Sequence, residues 1–421
     1  MPVRSILISI LILLIDFYIF QGVKLLFGDY SQVSKKIIYS VYWSITFYAL
    51  FIIILNTVID FHLWPKAFRV YSFAFIFITY ISKLFVVVFL ILDDLVRLIR
   101  WGISFFYQKE TIGNSDLLPS ATGISRLEFF TKAGIFLGAI PFFALIYGMV
   151  RGPYRFEVRK MKLHLPPLPP AFNGLKILQI SDIHIGSFIG PKQIEKAIQL
   201  INKQQADIVF FTGDLVNDKA EETDEYLHLL KEIKAPMGIY SVLGNHDYGD
   251  YVQWPSKEAK AANLEKLKTI QKELGWRLLL NEHVILEKGN DKIGLIGIEN
   301  WSNFGNFPKY GKMAEAVKGM PAVPVKILLS HDPSHWDGQV TKDYKDINLA
   351  LAGHTHGMQF GVEIAGFKWS PIQYMYKQWA GLYQNGNQLL YVNRGLGFIG
   401  YPGRVGIMPE ITVFELSNQK S

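Results

Sequence analysis

Four stretches in the first third of the chain are apolar almost without interruption: residues 5–27, 37–59, 70–92 and 133–150. Each is long enough to cross a bilayer, whose hydrocarbon core of about 30 Å takes around 20 helical residues. The first run is too long for the apolar core of a cleaved signal peptide, and no small-residue cleavage pattern follows it. The third run is expected to continue as an amphipathic helix over residues 93–107, and residues 113–123 form a polar loop. Beyond residue 150 the pattern changes. Residues 154–165 alternate loosely, as an edge strand does, and lead into the proline-rich segment 166–170. Short apolar runs then alternate with helical spacing. Strands are predicted at 175–180, 207–212, 238–243, 292–298, 325–329, 347–351, 388–393 and 411–416, and helices at 191–204, 223–233 and 256–273. A βαβ beginning that turns strand-rich implies layered α/β architecture. The expected organisation is a four-helix transmembrane domain over 1–150, a linker and edge strand over 151–173, and an α/β catalytic domain over 174–421.

Two charges interrupt the apolar runs. Asp16 is the twelfth of 23 residues in the first and Lys83 the fourteenth of 23 in the third. Those spans run in the same direction, so the charges lie at similar depth, where an unpaired charge costs at least ~3 kcal/mol. Either they pair, or Lys83 snorkels to the interface and Asp16 faces a helix contact. Four spans put the N-terminus and the C-terminal domain on one side of the membrane. Lys and Arg near the spans number eight on each side, so their distribution sets no orientation. The segment 125–132, Ser-Arg-Leu-Glu-Phe-Phe-Thr-Lys, resembles a degenerate twin-arginine export signal with Leu127 in place of the second arginine. It leans the reading toward an extracytoplasmic catalytic domain.

Composition sharpens this division. Half of the 421 residues are hydrophobic and 19% are charged, against roughly 25% charged in soluble domains. The formal charge of +7 is better read as Lys and Arg flanking membrane segments than as a nucleic-acid surface. There is no cysteine, which excludes disulfides and thiolate metal sites.

The chemistry lies at the strand ends. The predicted strands run into Asp182-Ile183-His184, Gly213-Asp214, Gly244-Asn245-His246-Asp247, His331-Asp332 and Gly353-His354-Thr355-His356. Five of the ten histidines fall in these five loops. Loops beyond the carboxyl ends of strands are where open α/β sheets place their sites. Imidazole with carboxylate and no thiolate suits Mn, Fe or Zn. His62, His164, His228 and His283 read as structural, and His335 reads first as structural too, with a place behind the metal ligands as the lesser alternative.

These blocks, in this order after β-strands, resemble the calcineurin-like metallophosphoesterases over roughly residues 154–416. The tail, Asn393-Arg394-Gly395-Leu396-Gly397 and Pro409-Glu410-Ile411-Thr412, resembles a membrane-linked bacterial subgroup. The resemblance implies an αββα sandwich and two adjacent divalent metal ions. Asp182, His184 and His356 would hold one, and Asn245, His331 and His354 the other, with Asp214 bridging both. An anionic bridge is what two cations ~3.5–4 Å apart require. A bridging water would ionise near neutral pH and attack phosphorus in line, while His246 assists the leaving oxygen. Many relatives carry an aspartate three residues after the bridging one to support that histidine; here Asn217 stands there, with Asp218 beside it. Arg394 and Arg404 are candidates to clamp a second phosphate, and Asn217 also counts among the substrate-side residues. Aromatics and lysines over residues 367–383 suit a membrane interface or the floor of the site loops, and Trp301, Phe304 and Phe307 suit a cap.

The implied activity is hydrolysis of a phosphodiester or pyrophosphate, on a lipid or lipid-linked substrate such as UDP-2,3-diacylglucosamine, at a bacterial inner membrane. The alternatives are a phosphodiesterase or phosphatase for a soluble nucleotide or phosphoprotein, and, in another class, a non-catalytic metal-dependent membrane receptor.

Overall fold

The computed structural model describes residues 3–59, 61–105, 126–305, 307 and 309–419, with the side chain of His62 outside that description. The polar loop expected over 113–123 therefore lies outside the described residues. The chain divides into two compact units, Met1–Ile146 and Tyr147–Ser421.

The first unit is helical. It comprises α1 (Val3–Leu26), α2 (Gln32–Val58), α3 (Lys66–Ser104) and most of α4 (Arg126–Arg151). All four are long and apolar enough to cross a membrane. The third span runs on without a break into its expected amphipathic extension, as one helix to Ser104, because nothing between Leu92 and Asp93 breaks the turn. Asp16 is fully buried in this unit, and its carboxylate meets Lys83 Nζ at 2.5 Å. Thr46 Oγ1 and Tyr80 Oη donate to the same carboxylate at 2.7 and 2.6 Å, and Tyr42 Oη at 3.2 Å. The pair is thus the centre of a saturated polar cluster, which is how an intramembrane charge avoids its desolvation cost. A second buried carboxylate, Asp93, accepts from Arg97 Nε at 2.8 Å and Arg126 Nε at 2.9 Å.

The second unit is built on two six-stranded sheets. Its strands are β1 (Glu157–His164), β2 (Lys176–Ile180), β3 (Ile208–Phe211), β4 (Ile239–Ser241), β5 (Trp276–Leu278), β6 (Glu282–Lys288), β7 (Asp291–Gly297), β8 (Lys326–Leu329), β9 (Leu349–Ala352), β10 (Val362–Ile364), β11 (Phe367–Trp369), β12 (Gly381–Asn385), β13 (Gln388–Val392) and β14 (Glu410–Ser417). One sheet has the order β1-β14-β2-β3-β4-β5 and the other β12-β13-β9-β8-β7-β6, while β10 and β11 pair only with each other. In the first sheet β2, β3, β4 and β5 run parallel, and in the second β7, β8, β9 and β13 do.

Alternation along each strand builds the layers. Ile177 and Phe210 from one sheet meet Leu295, Ile327 and Leu351 from the other in a shared inner core. Their neighbours Leu178 and Phe211 point outward onto Ile194, Ile198 and Ile201 of α5 (Lys192–Lys203) and Leu267 and Ile270 of the longest helix of this unit. On the far side, Ile296, Leu328 and Ala350 pack on Met313 and Trp336. The result is the αββα sandwich. Residues 223–233, expected as a helix, form only a 3-10 turn, Ala220–Thr223, and the single turn α6 (Leu227–Leu230). The reason is local: Glu222 accepts from the backbone N–H groups of Asn217, Asp218 and Lys219, so this segment tethers the loop after β3. Helix α7 (Lys257–Glu273) starts where Ser256 caps the N–H of Ala259. The helical turns α8 (Met313–Ala316) and α9 (Thr341–Asp343) complete the outer layer.

Candidate metal centre

The parallel strands end together, and their C-terminal loops deliver the chemistry. β2 delivers Asp182 and His184, β3 Asp214, β4 Asn245 and His246, β8 His331, and β9 His354 and His356. Asp182, His184, Asp214, His354 and His356 all have φ between 45° and 71°. That left-handed region costs non-glycine residues about 1–2 kcal/mol each. Five such residues in one cluster mark backbone held for function rather than for stability. Gly213, at φ 95°, lets the chain turn into Asp214, and a Cβ there would meet the Gly244 backbone.

Two groups of side chains converge. In one, Asp182, His184 and His356 each offer a ligand atom, all within 4.8 Å of one another; in the other, Asp214, His331 and His354 do the same. Asp214 Oδ2 lies 3.1 Å from His331 Nε2 and 3.5 Å from His184 Nε2, so it faces both groups. Asn245 Oδ1 completes the second, 3.1 Å from His331 Nε2 and 2.7 Å from His354 Nδ1. The seven residues expected as ligands are therefore brought to one place.

Their surroundings fit cations. His184 Nε2 and His356 Nε2 are buried without a hydrogen-bond partner in the protein, a cost of roughly 1–3 kcal/mol for each such group. His331 Nδ1 donates to the Thr212 carbonyl at 2.7 Å. That leaves Nε2 to face Asp214, Asn245 and, at 3.3 Å, the Nδ1 of His354. Nitrogen and oxygen lone pairs aimed at one point repel unless positive charge sits among them. Burial pushes Asp182 up to about 7, with the Asp214 charge contributing in the same direction. Burial lowers His184 to about 3 and opposes a proton on His331, yet the Asp214 carboxylate still raises His331 to about 10. Asp214 itself is held well below the carboxylate range; burial opposes this, and His331 and His246 outweigh it.

The histidine outside the ligand groups, His246, places Nδ1 2.7 Å from the backbone carbonyl of Asn217. Its ring stacks at 4.5 Å on Tyr251, whose hydroxyl accepts from Asn245 Nδ2 at 2.7 Å. Support for His246 thus comes from the main chain of Asn217. Its side chain instead accepts from Ser187 Oγ at 3.1 Å, which corrects the expectation that this amide stands behind the imidazole or against substrate.

Arg394 and Arg404 also differ from expectation. Arg394 is buried, with its fork on Glu363 at 2.6 and 3.1 Å and its remaining nitrogen on Glu410 at 2.5 Å. Arg404 is fully buried and donates to the carbonyls of Gly395 and Gly397, and it lies 3.2 Å from His356 Nδ1. Guanidinium groups saturated in this way do not clamp a second phosphate; they brace the ligand loops. His335 is likewise buried, between Ser330 Oγ and Gln339 Oε1.

Three contributors were not singled out from the sequence. Asp247 accepts from the N–H groups of Asp214, Leu215 and Gly244, and so locks two ligand loops together. Tyr376 Oη lies 2.8 Å from His354 Nε2 and 3.4 Å from Asp332 Oδ2, fixing that ring from behind. Asp247 and Asp332 had a signal, as the carboxylates that follow His246 and His331; Tyr376 had none beyond its aromatic-rich segment. The cleft over the cluster is about 280 Å³, walled by His246, Phe307, Ile372, Met375, Tyr376 and Ile399.

Comparison with known proteins agrees with this geometry. The family model for a probable calcineurin-like phosphoesterase transmembrane domain matches residues 3–153, and that for calcineurin-like phosphoesterases matches residues 175–358. An uncharacterized metallophosphoesterase of Bacillus subtilis, YkuE, is 30% identical over 280 residues, covering 65% of this chain and 90% of that one. A zebrafish transmembrane protein with metallophosphoesterase domain is 29% identical over 274 residues, covering 63% of this chain and 59% of that longer protein. An uncharacterized metallophosphoesterase of Helicobacter pylori strain J99 is 26% identical over 318 residues, covering 75% and 78%. Strand-end ligand loops, sandwich and sequence similarity agree: the chain belongs to the calcineurin-like metallophosphoesterases, metal-dependent phosphoric ester hydrolases, and carries the transmembrane domain found with some of them.

Proposed function

We propose that the chain hydrolyses a phosphodiester or pyrophosphate bond of a lipid or lipid-linked substrate at the membrane its helices cross, UDP-2,3-diacylglucosamine being one example of that class. The observation that carries the hydrolytic part is Asp214, one carboxylate facing two groups of imidazoles. In this reading Asp182, His184 and His356 would hold one divalent cation and Asn245, His331 and His354 a second, with Asp214 available to both. Mn, Fe or Zn, which the donor set suits, would supply Lewis acidity toward phosphoryl oxygens and water.

The chain's own groups do the rest. Asn217 O holds the His246 ring, with Nδ1–H donating to it, so that Nε2 exchanges a proton with the leaving oxygen. Asp247 and the left-handed turns keep the ligands in place before substrate arrives. The lipid part rests on the apolar residues in the cleft wall, Ile372, Met375 and Ile399, which suit an acyl chain.

Two measurements test the reading. Purified protein with Mn²⁺ should cleave bis-p-nitrophenyl phosphate; Asp214→Asn should abolish this, and His246→Ala should lower kcat by about 10²–10⁴ without changing metal content. Full activity in Asp214→Asn would refute the shared carboxylate. Mass spectrometry of total membrane lipids incubated with the enzyme should show a cleaved phospholipid-type product; turnover of soluble nucleotides alone would replace the lipid reading.

A further inference from the structure

The loop carrying His354 and His356 does not return directly to its sheet. It runs on through the isolated β10–β11 hairpin and the turn Pro371–Tyr374, and re-enters at Tyr376, which reaches back to His354. Its exposure is inverted. Met358, Ile364, Phe367, Tyr374 and Met375 are 55%, 66%, 54%, 78% and 62% exposed, while the charged Glu363 is turned inward onto Arg394 and Arg159. Single exposed apolar residues are ordinary, but clusters are not. Among the described residues of the second unit, eleven large hydrophobic side chains are exposed. Seven lie between Met358 and Leu382, and two more, Tyr147 and Val150, lie in the last turns of α4.

These two groups are joined within that unit. Arg404 N–H donates to Gly148 O at 3.1 Å, and a Cβ on Gly152 would overlap the Arg404 carbonyl. The next residue, Val405, bridges to Phe360 and accepts from Gly361 N–H at 2.9 Å, at the root of the hairpin. From β1, which starts six residues after α4 ends, Arg159 reaches Glu363 of β10 at 2.9 Å. An isolated two-stranded hairpin is marginal by itself; here partly buried ion pairs from Glu363 to Arg159 and Arg394 fix it beside the C-terminal end of α4. Exposed cations, Arg151 and Arg155 at and just after the end of α4 and Lys377 just after the turn, lie in the same segments of chain as the apolar residues, the mixture that favours an anionic lipid surface.

We propose that the hairpin and the turn after it dip their apolar edge, Ile364, Phe367, Tyr374 and Met375, into the interface of the bilayer that α4 crosses, so that the cleft opens at headgroup level. Met375 belongs both to the exposed edge and to the cleft wall, which makes the path from membrane to site continuous. The membrane contact stands independently of the substrate; delivery of a lipid phosphoester rests on the lipid reading above.

The chain has no cysteine, so a single introduced one is a unique label. Full-length Ile364→Cys carrying an environment-sensitive fluorophore, in vesicles containing anionic phospholipid, should be quenched by lipids spin-labelled near the top of the acyl chain. The same label at Asn290→Cys, in the β6–β7 turn, should not be. Equal quenching at the two sites, or none at Ile364→Cys, overturns the proposal; absent quenching together with oxidative disulfide pairing of unlabelled Ile364→Cys chains assigns the edge to a second copy instead. In the same vesicles the double variant Ile364→Asp, Phe367→Asp should lose about tenfold or more in membrane-lipid turnover, through lost interfacial burial, while hydrolysing bis-p-nitrophenyl phosphate like the wild type. Unchanged lipid turnover would also overturn it. If the wild type turns over no lipid, the substrate reading fails, and quenching alone decides the membrane contact.

Discussion

Removing Lys83 while leaving Asp16 in place is the sharpest test of the membrane unit. Asp16 is fully buried, and Lys83 is 12% exposed. In Lys83→Met the carboxylate keeps its hydroxyl donors Tyr42, Thr46 and Tyr80 but loses its countercharge. Breaking a buried pair costs about 3–5 kcal/mol, and a lone charge at mid-membrane about 2.5–3.5 kcal/mol on insertion scales. With three donors remaining, about 3 kcal/mol is expected. In Asp16→Asn the ammonium keeps two aromatic faces, Tyr42 at 4.9 Å and Tyr80 at 4.7 Å, and cation–π contacts of up to about 2 kcal/mol soften the loss to about 2 kcal/mol. The double variant Asp16→Asn, Lys83→Met contains neither charge. It forfeits only polar contacts that average about 0.6 kcal/mol each in membranes, so it should be destabilised by about 1–2 kcal/mol and be more stable than Lys83→Met alone. Reversible unfolding in mixed micelles measures all four corners of this cycle. If the double variant loses the full sum of the single losses, Asp16 and Lys83 are not coupled, and the pairing is wrong.

Three further outcomes follow from the second unit. Tyr376→Phe removes the hydroxyl behind His354 and should raise the half-saturating Mn²⁺ concentration about tenfold with the fold intact, since second-shell partners are worth 10–100-fold in affinity; an unchanged titration would show that the hydroxyl does not orient the ring. Arg394→Met takes from buried Glu410 its close countercharge and leaves Glu363 to Arg159 alone, and should destabilise by about 3 kcal/mol, while KM for a soluble ester stays near wild type; a raised KM with unchanged stability would restore the substrate clamp. Burial lowers His335 to about 4, so the fold disfavours its proton. Stability is whole above the unfolded value near 6.5 and falls as pH drops toward 4, by up to about 3 kcal/mol. Denaturant midpoints of His335→Asn should show a shallower loss across that window, and parallel slopes would exclude His335 as the cause.

What was legible in the sequence, and what was not, follows from the range of each interaction. Asp182, His184, Asp214 and the histidines of Gly353-His354-Thr355-His356 could be read because each sits directly after an apolar strand, and strands in one sheet end together. Asp16 and Lys83 could be paired because helical rise converts position into depth. Arg394 and Arg404 misled because burial is a property of the fold: the glycine-flanked arginines look like phosphate ligands until Glu363, Glu410 and the Gly397 carbonyl are seen around them. The residues 223–233 look helical by spacing, and the Glu222 side chain holding three N–H groups prevails. Tyr376 was hidden for a similar reason, since its partner His354 lies across the whole hairpin excursion. That excursion has strand-like composition, but its strands β10 and β11 join neither large sheet, so its apolar residues read equally as core or as surface.

The central claim is that one carboxylate, Asp214, joins two metal positions. The direct measurement is metal content per chain by elemental analysis, taken alongside bis-p-nitrophenyl phosphate hydrolysis as Mn²⁺ is titrated into metal-stripped full-length protein. The account predicts that activity rises with the second of two bound ions, and that Asp214→Asn binds fewer than two and is inactive. Full activity with a single ion bound, or two ions retained tightly by Asp214→Asn, would contradict it.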